Sequence, residues 1–171
     1  METTEEQFLS QLQSNAGIIH RICKSYFSEE ELRKDVYQEI VYQLWKSYPN
    51  FKGLSKFSTW MYRIALNTAI TYFRKANRQP VEQRITEQVE RIGASNTDDE
   101  EQVEELYRAI NTLTDVEKAI ILLYLDEHTY EEIASISGMT SKNVSVRLVR
   151  IKKKIEKYFN QKKQIKYGNT R

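Results

Sequence analysis

Residues that interrupt helices are scarce in this 171-residue chain, which has five glycines and two prolines. The chain also lacks the sustained alternation of apolar and polar residues that is typical of β-strands. With 40% hydrophobic and 29% charged residues, its composition is that of an ordinary globular protein. We therefore predict an all-α fold, at a length that suits one domain or two small ones.

Cysteines and long apolar runs are also scarce. Cys23 is the only cysteine, which excludes an intrachain disulfide and a cysteine-cluster zinc site, and we expect it to fill the core. The longest apolar run, Ala119 to Leu125, is far shorter than the roughly 20 residues that span a bilayer. The N-terminus, Met-Glu-Thr-Thr-Glu-Glu, has no cationic start of the kind found in targeting segments. We expect a soluble cytoplasmic protein without membrane insertion.

Patterns that carry catalysis or bind metals are missing. His20 and His128 are isolated, and the sequence has no phosphate loop, nucleophile motif or metal-ligand cluster. We therefore predict that the chain is not an enzyme and has no catalytic residues, metal site, cofactor or small-molecule substrate.

The most informative segment runs from Thr129 to Lys154 and has the pattern of a helix-turn-helix. Thr129 and Glu132 form a capping box that can start one short helix, and Gly138 supplies the positive φ at which that helix can end. Either Thr140 or Ser141 can cap the second helix.

The second helix is predicted to have one buried and one exposed face. Its apolar residues recur at spacings of four, three and four, so they share a side: Val144, Leu148, Ile151 and Ile155. The opposite side is cationic and hydrogen-bonding, which is typical either of a solvated surface or of a helix that contacts bases and phosphates in a major groove.

Charge is strongly polarised along the chain. Residues 1–79 carry a net charge of +3, residues 80–105 carry −7, and residues 106–171 carry +6. Eleven of the 13 cations in the last segment lie at or after Lys142. Because clustered cations are what phosphate contact requires, this distribution favours DNA binding by the second half of the chain.

Three helical segments are predicted before the acidic stretch. Residues 5–26 are expected to form two helical pieces, interrupted near residues 15–17. A capping box of Ser28 and Glu31 is expected to open a helix that ends near Tyr48. A further helix follows the Pro49 and Gly53 break and ends near Lys75, with Trp60 at least partly buried.

The second half is predicted to begin with a linker. Between Pro80 and Glu105 the apolar pattern fades and an acidic run appears, so we expect a flexible acidic segment. Helical order is expected to return at Leu106. A third capping box, Thr114 with Glu117, then starts a strongly apolar helix that runs through Leu125.

Four motifs in a fixed order together resemble bacterial RNA polymerase sigma factors of the extracytoplasmic-function (ECF) class of the sigma-70 family. The motifs are Asp35-Val-Tyr-Gln38-Glu39, the segment from Phe51 to Asn67, Leu113-Thr-Asp-Val-Glu117, and Tyr130 to Ala134 continuing to Val144 through Leu148. The resemblance covers nearly the whole chain. It implies two small helical domains joined by a flexible acidic linker: a region 2-like domain in residues 1–79, the linker in 80–105, a region 4-like helix-turn-helix domain in 106–160, and a basic tail in 161–171.

The resemblance also implies three contact surfaces. Asp35, Gln38 and Glu39, which face outward and by themselves fit a solvated face, would bind core RNA polymerase. Promoter contacts at the minus-ten element would come from Gly53, Leu54, Ser55, Lys56, Phe57, Trp60, Tyr62, Arg63 and Asn67. Contacts at the minus-thirty-five element would come from Thr140, Ser141, Lys142, Asn143, Ser145, Val146, Arg147, Arg150, Lys153 and Lys154.

Two departures from the family pattern affect what carries over. Many members have threonine and a cation where this chain has Asn143 and Ser145, so the promoter sequence does not transfer. The basic tail also extends beyond the usual end.

The predicted function is promoter-specific initiation: the chain, a monomer when free, binds core polymerase and promoter DNA. By family analogy, an anti-sigma protein is expected as its regulator. The alternative is a stand-alone helix-turn-helix repressor or activator, which normally dimerises on paired half-sites.

Overall fold

The computed structural model describes residues 4–77 and 98–168, and its helices form two groups. The first helical group contains α1 (Thr4–Tyr26), α2 (Glu30–Ser47), a 3-10 turn (Tyr48–Asn50) and α3 (Phe57–Asn77). The second helical group contains α4 (Asp98–Asn111), α5 (Asp115–Leu125), α6 (Tyr130–Ser137) and α7 (Ser141–Gly168). The all-α prediction is confirmed. No helix within the described ranges is long and apolar enough to cross a membrane.

Helix α1 is continuous, so the prediction of two pieces was wrong. The polar Ser14 and Asn15 side chains hydrogen-bond to carbonyl oxygens one turn earlier instead of breaking the helix. Glycine inside a helix costs about 1 kcal/mol, but burying a large apolar side chain contributes about 1.5–3 kcal/mol. Ile18 and Ile19 are buried directly after Gly17. The free energy gained from their packing outweighs the cost of a glycine inside the helix.

The predicted capping box of Ser28 and Glu31 is absent. Helix α2 has Glu29 at its N-cap position and no side-chain cap. Glu31 is therefore the second residue of the helix, whereas a capping box needs the acid at the third position. Glu31 instead pairs with Lys34 at 2.9 Å.

The predicted acidic linker ends in a helix, which corrects its C-terminal boundary. Residues 98–105 belong to α4, while residues 80–97 lie outside the described residues, as does the end of the basic tail at 169–171. Helix α4 is held by contacts that its sequence alone does not reveal. Glu104 pairs with Lys24 of α1 at 2.9 Å, and Glu105 accepts a hydrogen bond from Tyr158 of α7 and pairs with Lys162.

The two helical groups pack against each other. Helix α1 contacts α4 and α5, and α3 contacts α6. Cys23 lies buried in the core, as predicted. Burial raises the pKa of its thiol to about 12, so it is a poor nucleophile at neutral pH.

Candidate nucleic-acid interface

Helices α6 and α7 and the turn between them form the predicted helix-turn-helix. The Thr129 and Glu132 capping box is present in both directions, and Gly138 ends α6 in the left-handed region at φ 70°. The Thr140 hydroxyl accepts a hydrogen bond from the Asn143 N–H at 3.3 Å. Thr140 is therefore the cap of α7, and Ser141 is its first residue.

Helix α7 has the two faces that the sequence predicts. Val144, Leu148 and Ile151 are buried against the rest of the second helical group. Most of the predicted minus-thirty-five residues are exposed: Thr140, Lys142, Asn143, Val146, Arg147, Arg150, Lys153 and Lys154. Ser141 and Ser145 are partly buried. The exposed set forms one surface, as a contact with a groove requires.

Some cations on α7 already contact side chains of the same protein. Lys154 lies 2.6 Å from Glu117. Lys152 donates to the Tyr124 hydroxyl at 2.8 Å and sits 4.0 Å from the centre of that ring. Burial raises the pKa of Glu117, but the Lys154 ammonium and the Thr114 hydrogen bonds outweigh it, so the pKa falls overall and the carboxylate is ionised at neutral pH.

The loop before α3 is exposed and rests on an aromatic cluster. Gly53 has a φ of 68°, and Leu54 is 91% exposed. Ser55 and Lys56 are also exposed. Below them, Trp60 is partly buried, as predicted, and packs against a set of rings: Tyr48, Phe51 and Phe57.

Two of the predicted minus-ten residues, Phe57 and Tyr62, have buried side chains. Phe57 is buried in the aromatic cluster that supports the loop. Tyr62 is only 1% exposed, and its hydroxyl donates a hydrogen bond to Asp126 in the second helical group. Tyr62 directly follows the buried Met61, so the two side chains point in different directions around α3. The second helical group covers the side of α3 on which Tyr62 lies.

Arg63 also contacts the second helical group. Its Nη2 donates to the Ser135 carbonyl oxygen at 3.0 Å and approaches the Ser135 hydroxyl at 3.3 Å. Asp126 accepts a further hydrogen bond from Arg21 at 2.7 Å. Asn67 remains exposed. Part of the predicted minus-ten surface is therefore occupied by contacts between the two helical groups.

A second set of contacts between the helical groups surrounds Lys118, which sequence reasoning missed. Tyr26 donates to the Asp115 carbonyl oxygen at 2.5 Å, and Arg74 pairs with the Asp115 carboxylate at 2.8 Å. The buried Lys118 ammonium lies 5.3 Å from the ring centres of Tyr26 and Phe73. Burial lowers the pKa of Lys118, and the nearby Asp115 opposes that shift. The only signal in the sequence is a lysine at the start of an apolar run.

The predicted polymerase-binding residues lie on α2. Asp35 and Gln38 are exposed, and Glu39 is partly buried and accepts a hydrogen bond from Gln43 at 2.8 Å. Beside them is an apolar groove between α1 and α2, which sequence reasoning missed. Exposed large side chains line it: Leu9, Tyr42 and Trp45.

Both helical groups match known sequence families. Residues 12–79 match Sigma-70 region 2, and residues 103–155 match Sigma-70, region 4. The ECF RNA polymerase sigma-E factor of Escherichia coli K12 is 36% identical over 135 residues, which cover 71% of each chain. That of Haemophilus influenzae is 32% identical over 154 residues, covering 82% of this chain and 79% of the relative.

These matches define a class of transcription factor, the sigma-70 family of RNA polymerase sigma factors. Within it, the chain belongs to the ECF class and is a sigma factor that directs transcription initiation.

Solved structures agree in fold. A sigma factor RpoE bound to the anti-sigma factor NepR from Bartonella quintana has a TM-score of 0.73 at 18% identity, covering 91% of this chain and 98% of that one. CnrH in complex with the cytosolic domain of CnrY has a TM-score of 0.67 at 16% identity, covering 92% and 90%.

Proposed function

We propose that this chain binds core RNA polymerase through α2 and promoter DNA through the α3 loop and α7, and that it needs no catalytic activity of its own. The observation that carries this proposal is the exposed, cationic and hydrogen-bonding face of α7, in a chain whose two helical groups match sigma regions 2 and 4. The free protein is proposed to be a cytoplasmic monomer, with domains at residues 1–79 and from α4 onward.

The docking surface on α2 combines charge with exposed aromatic area. The Asp35 and Glu39 carboxylates can accept charge-assisted hydrogen bonds from cations on a partner helix. Tyr42 and Trp45 expose about half of their area one to two turns further along the same helix, and such aromatic side chains are enriched where proteins bind each other. The groove therefore supports the assignment of this face to polymerase.

Charge reversal tests this assignment. We expect Asp35→Lys with Glu39→Lys to reduce capture by core polymerase and promoter-directed transcription at least tenfold, because like charges would face each other across the interface. Capture on immobilised core polymerase measures the loss. The control is Glu101→Lys, which makes the same kind of charge reversal at a single exposed site on α4 and therefore half the charge change of the double variant. Undiminished capture by the double variant would refute the docking assignment.

We propose that α7 enters the major groove at the minus-thirty-five element. The groove is about 12 Å wide and a helix with its side chains is about 10–12 Å across, so one helix fills it. Arg147, Arg150 and Lys153 are exposed, and no acidic side chain within the described ranges pairs with them. They can therefore neutralise phosphates without first breaking an ion pair.

Salt dependence tests which cations meet phosphates. Each neutralised phosphate contributes about 0.9 to the slope of log affinity against log salt concentration. We expect Arg147→Gln and Lys153→Gln each to lower the slope for promoter binding by the full chain with core polymerase by about that amount. Lys152→Gln should leave it unchanged, because Tyr124 holds that ammonium. Equal slopes in all variants would show that this face does not meet DNA.

The two helical groups must separate for this function. The minus-ten and minus-thirty-five elements are about 25 base pairs apart, which is roughly 85 Å at 3.4 Å per base pair. In the structure α3 touches α6 directly, with Arg63 3.0 Å from Ser135. We propose that polymerase binding breaks the contacts at Asp126, Asp115 and Ser135, which also frees Arg63 for DNA.

An anti-sigma protein is the proposed regulator. One similar solved structure is a sigma factor bound to an anti-sigma factor, and another is CnrH bound to the cytosolic domain of CnrY. A partner of this kind would act here by holding the two helical groups together or by covering α2.

A further inference from the structure

Two valines stand out on the exposed face of α7. Val146 is 44% exposed and Val149 is 54% exposed. The surface around them is cationic, with Lys142, Arg150 and Lys153 exposed on the same side. Valine is a weaker helix former than lysine or arginine, so neither helix stability nor solubility explains a valine pair at this place.

Helix geometry puts both valines on the side away from the core. At about 100° per residue, Val146 lies about 200° around the helix from the buried Val144, and Val149 lies about 140° around it. The two valines are therefore about 60° apart and face outward together. They are separated by about 4.5 Å along the axis, which lies between one and two base-pair steps of 3.4 Å.

The apolar group that the major groove offers is the C5-methyl of thymine, since the other groups on the base edges are hydrogen-bond donors or acceptors. We propose that Val146 and Val149 contact thymine methyl groups in the minus-thirty-five element and so select thymine over cytosine at one or two neighbouring positions. The inference rests on the proposed function and adds a sequence preference to it. Val149 was not among the residues predicted from the sequence.

Deoxyuridine scanning tests the proposal, because deoxyuridine differs from thymidine only by this methyl. Minus-thirty-five sequences would first be selected from a randomised promoter library with the full chain and core polymerase. Each thymine in a selected sequence would then be replaced singly by deoxyuridine. We expect at least one replacement to weaken binding about fourfold, the value for one buried methyl-sized group.

The same scan with valine variants identifies the contact. Val146→Ala and Val149→Ala should each abolish the deoxyuridine penalty at its own position, which is the coupling that a double-mutant cycle measures. The matched control is Val103→Ala, because Val103 is a similarly exposed helical valine on α4. It should leave every penalty intact.

Three results would overturn the proposal, and they differ from one another. If no promoter sequence is enriched, the proposed function fails and the inference falls with it. If sequences are enriched and transcribed but tolerate deoxyuridine everywhere, or keep their penalties in both alanine variants, only the inference fails. If the alanine variants lose polymerase capture while DNA selection is unchanged, the valines contact protein.

Discussion

Replacing Leu54, Ser55 and Lys56 with three glycines is expected to reduce transcription from a fully paired promoter about 10- to 100-fold. Extruding a base costs a few kcal/mol of pairing and stacking, and a pocket or stacking surface on that base must offset the cost. The three side chains are exposed above the aromatic cluster. These side chains can therefore be removed without unfolding the first helical group. Without them, the free-energy cost of extruding the base is no longer offset.

A template with a pre-opened minus-ten region should recover much of the activity, because its opening cost has already been removed. Core polymerase capture should be normal in the same variant. Lys52→Gly is the control, since Lys52 is exposed in the same loop but is not one of the predicted minus-ten contact residues. If paired and pre-opened templates lose activity equally while capture stays normal, the loop does not open DNA.

Linking the two helical groups covalently is expected to reduce promoter activity strongly. Arg21 and Asp126 lie on opposite sides of the contact, 2.7 Å apart, and line a cleft that is open to solvent. Cysteines at both positions, joined by a short reducible bis-maleimide, would hold α1 against the second helical group. When a protein binds two sites on one DNA, its overall affinity exceeds its affinity for either site alone by about 10²–10⁴-fold. This gain disappears when the geometry prevents binding at both sites at once. We expect transcription to fall about 100-fold.

The native chain makes this experiment clean. Cys23 is buried and its thiol pKa is raised to about 12, so the reagent should react with the two introduced cysteines only. Arg21→Cys and Asp126→Cys singly, treated with the same reagent, are the controls, and cleavage of the linker should restore activity. A linked protein that transcribes as well as the unlinked double variant would contradict the requirement for separation.

Local features were predictable from the sequence. The capping boxes at Thr114 and Thr129 and the left-handed Gly138 depend on residues at most four positions apart, so their spacing determines them. The buried side of α7 was equally predictable, because the spacing of its apolar residues matches the period of a helix. Leu54 and Asp35, which the sequence analysis assigned to contact surfaces, are both exposed.

Contacts between distant segments were not predictable. Tyr62 and its acceptor Asp126 are 64 residues apart, and Arg63 and Ser135 are 72 apart. A tyrosine next to a core methionine suits either solvent or a second layer of helices, and only the tertiary fold decides between them. The same reason applies to the boundary of α4. Its acidic residues by themselves predict a linker, but two of them pair with cations on α1 and α7.

The two tryptophans of the chain lie beside different proposed surfaces. Trp45 borders the groove next to Asp35, and Trp60 packs beneath the Leu54 loop. Neither lies in the second helical group. Intrinsic fluorescence of the two single-tryptophan variants therefore provides separate optical signals for polymerase docking and for base capture, and their order in time can be resolved in a stopped-flow experiment without any attached dye.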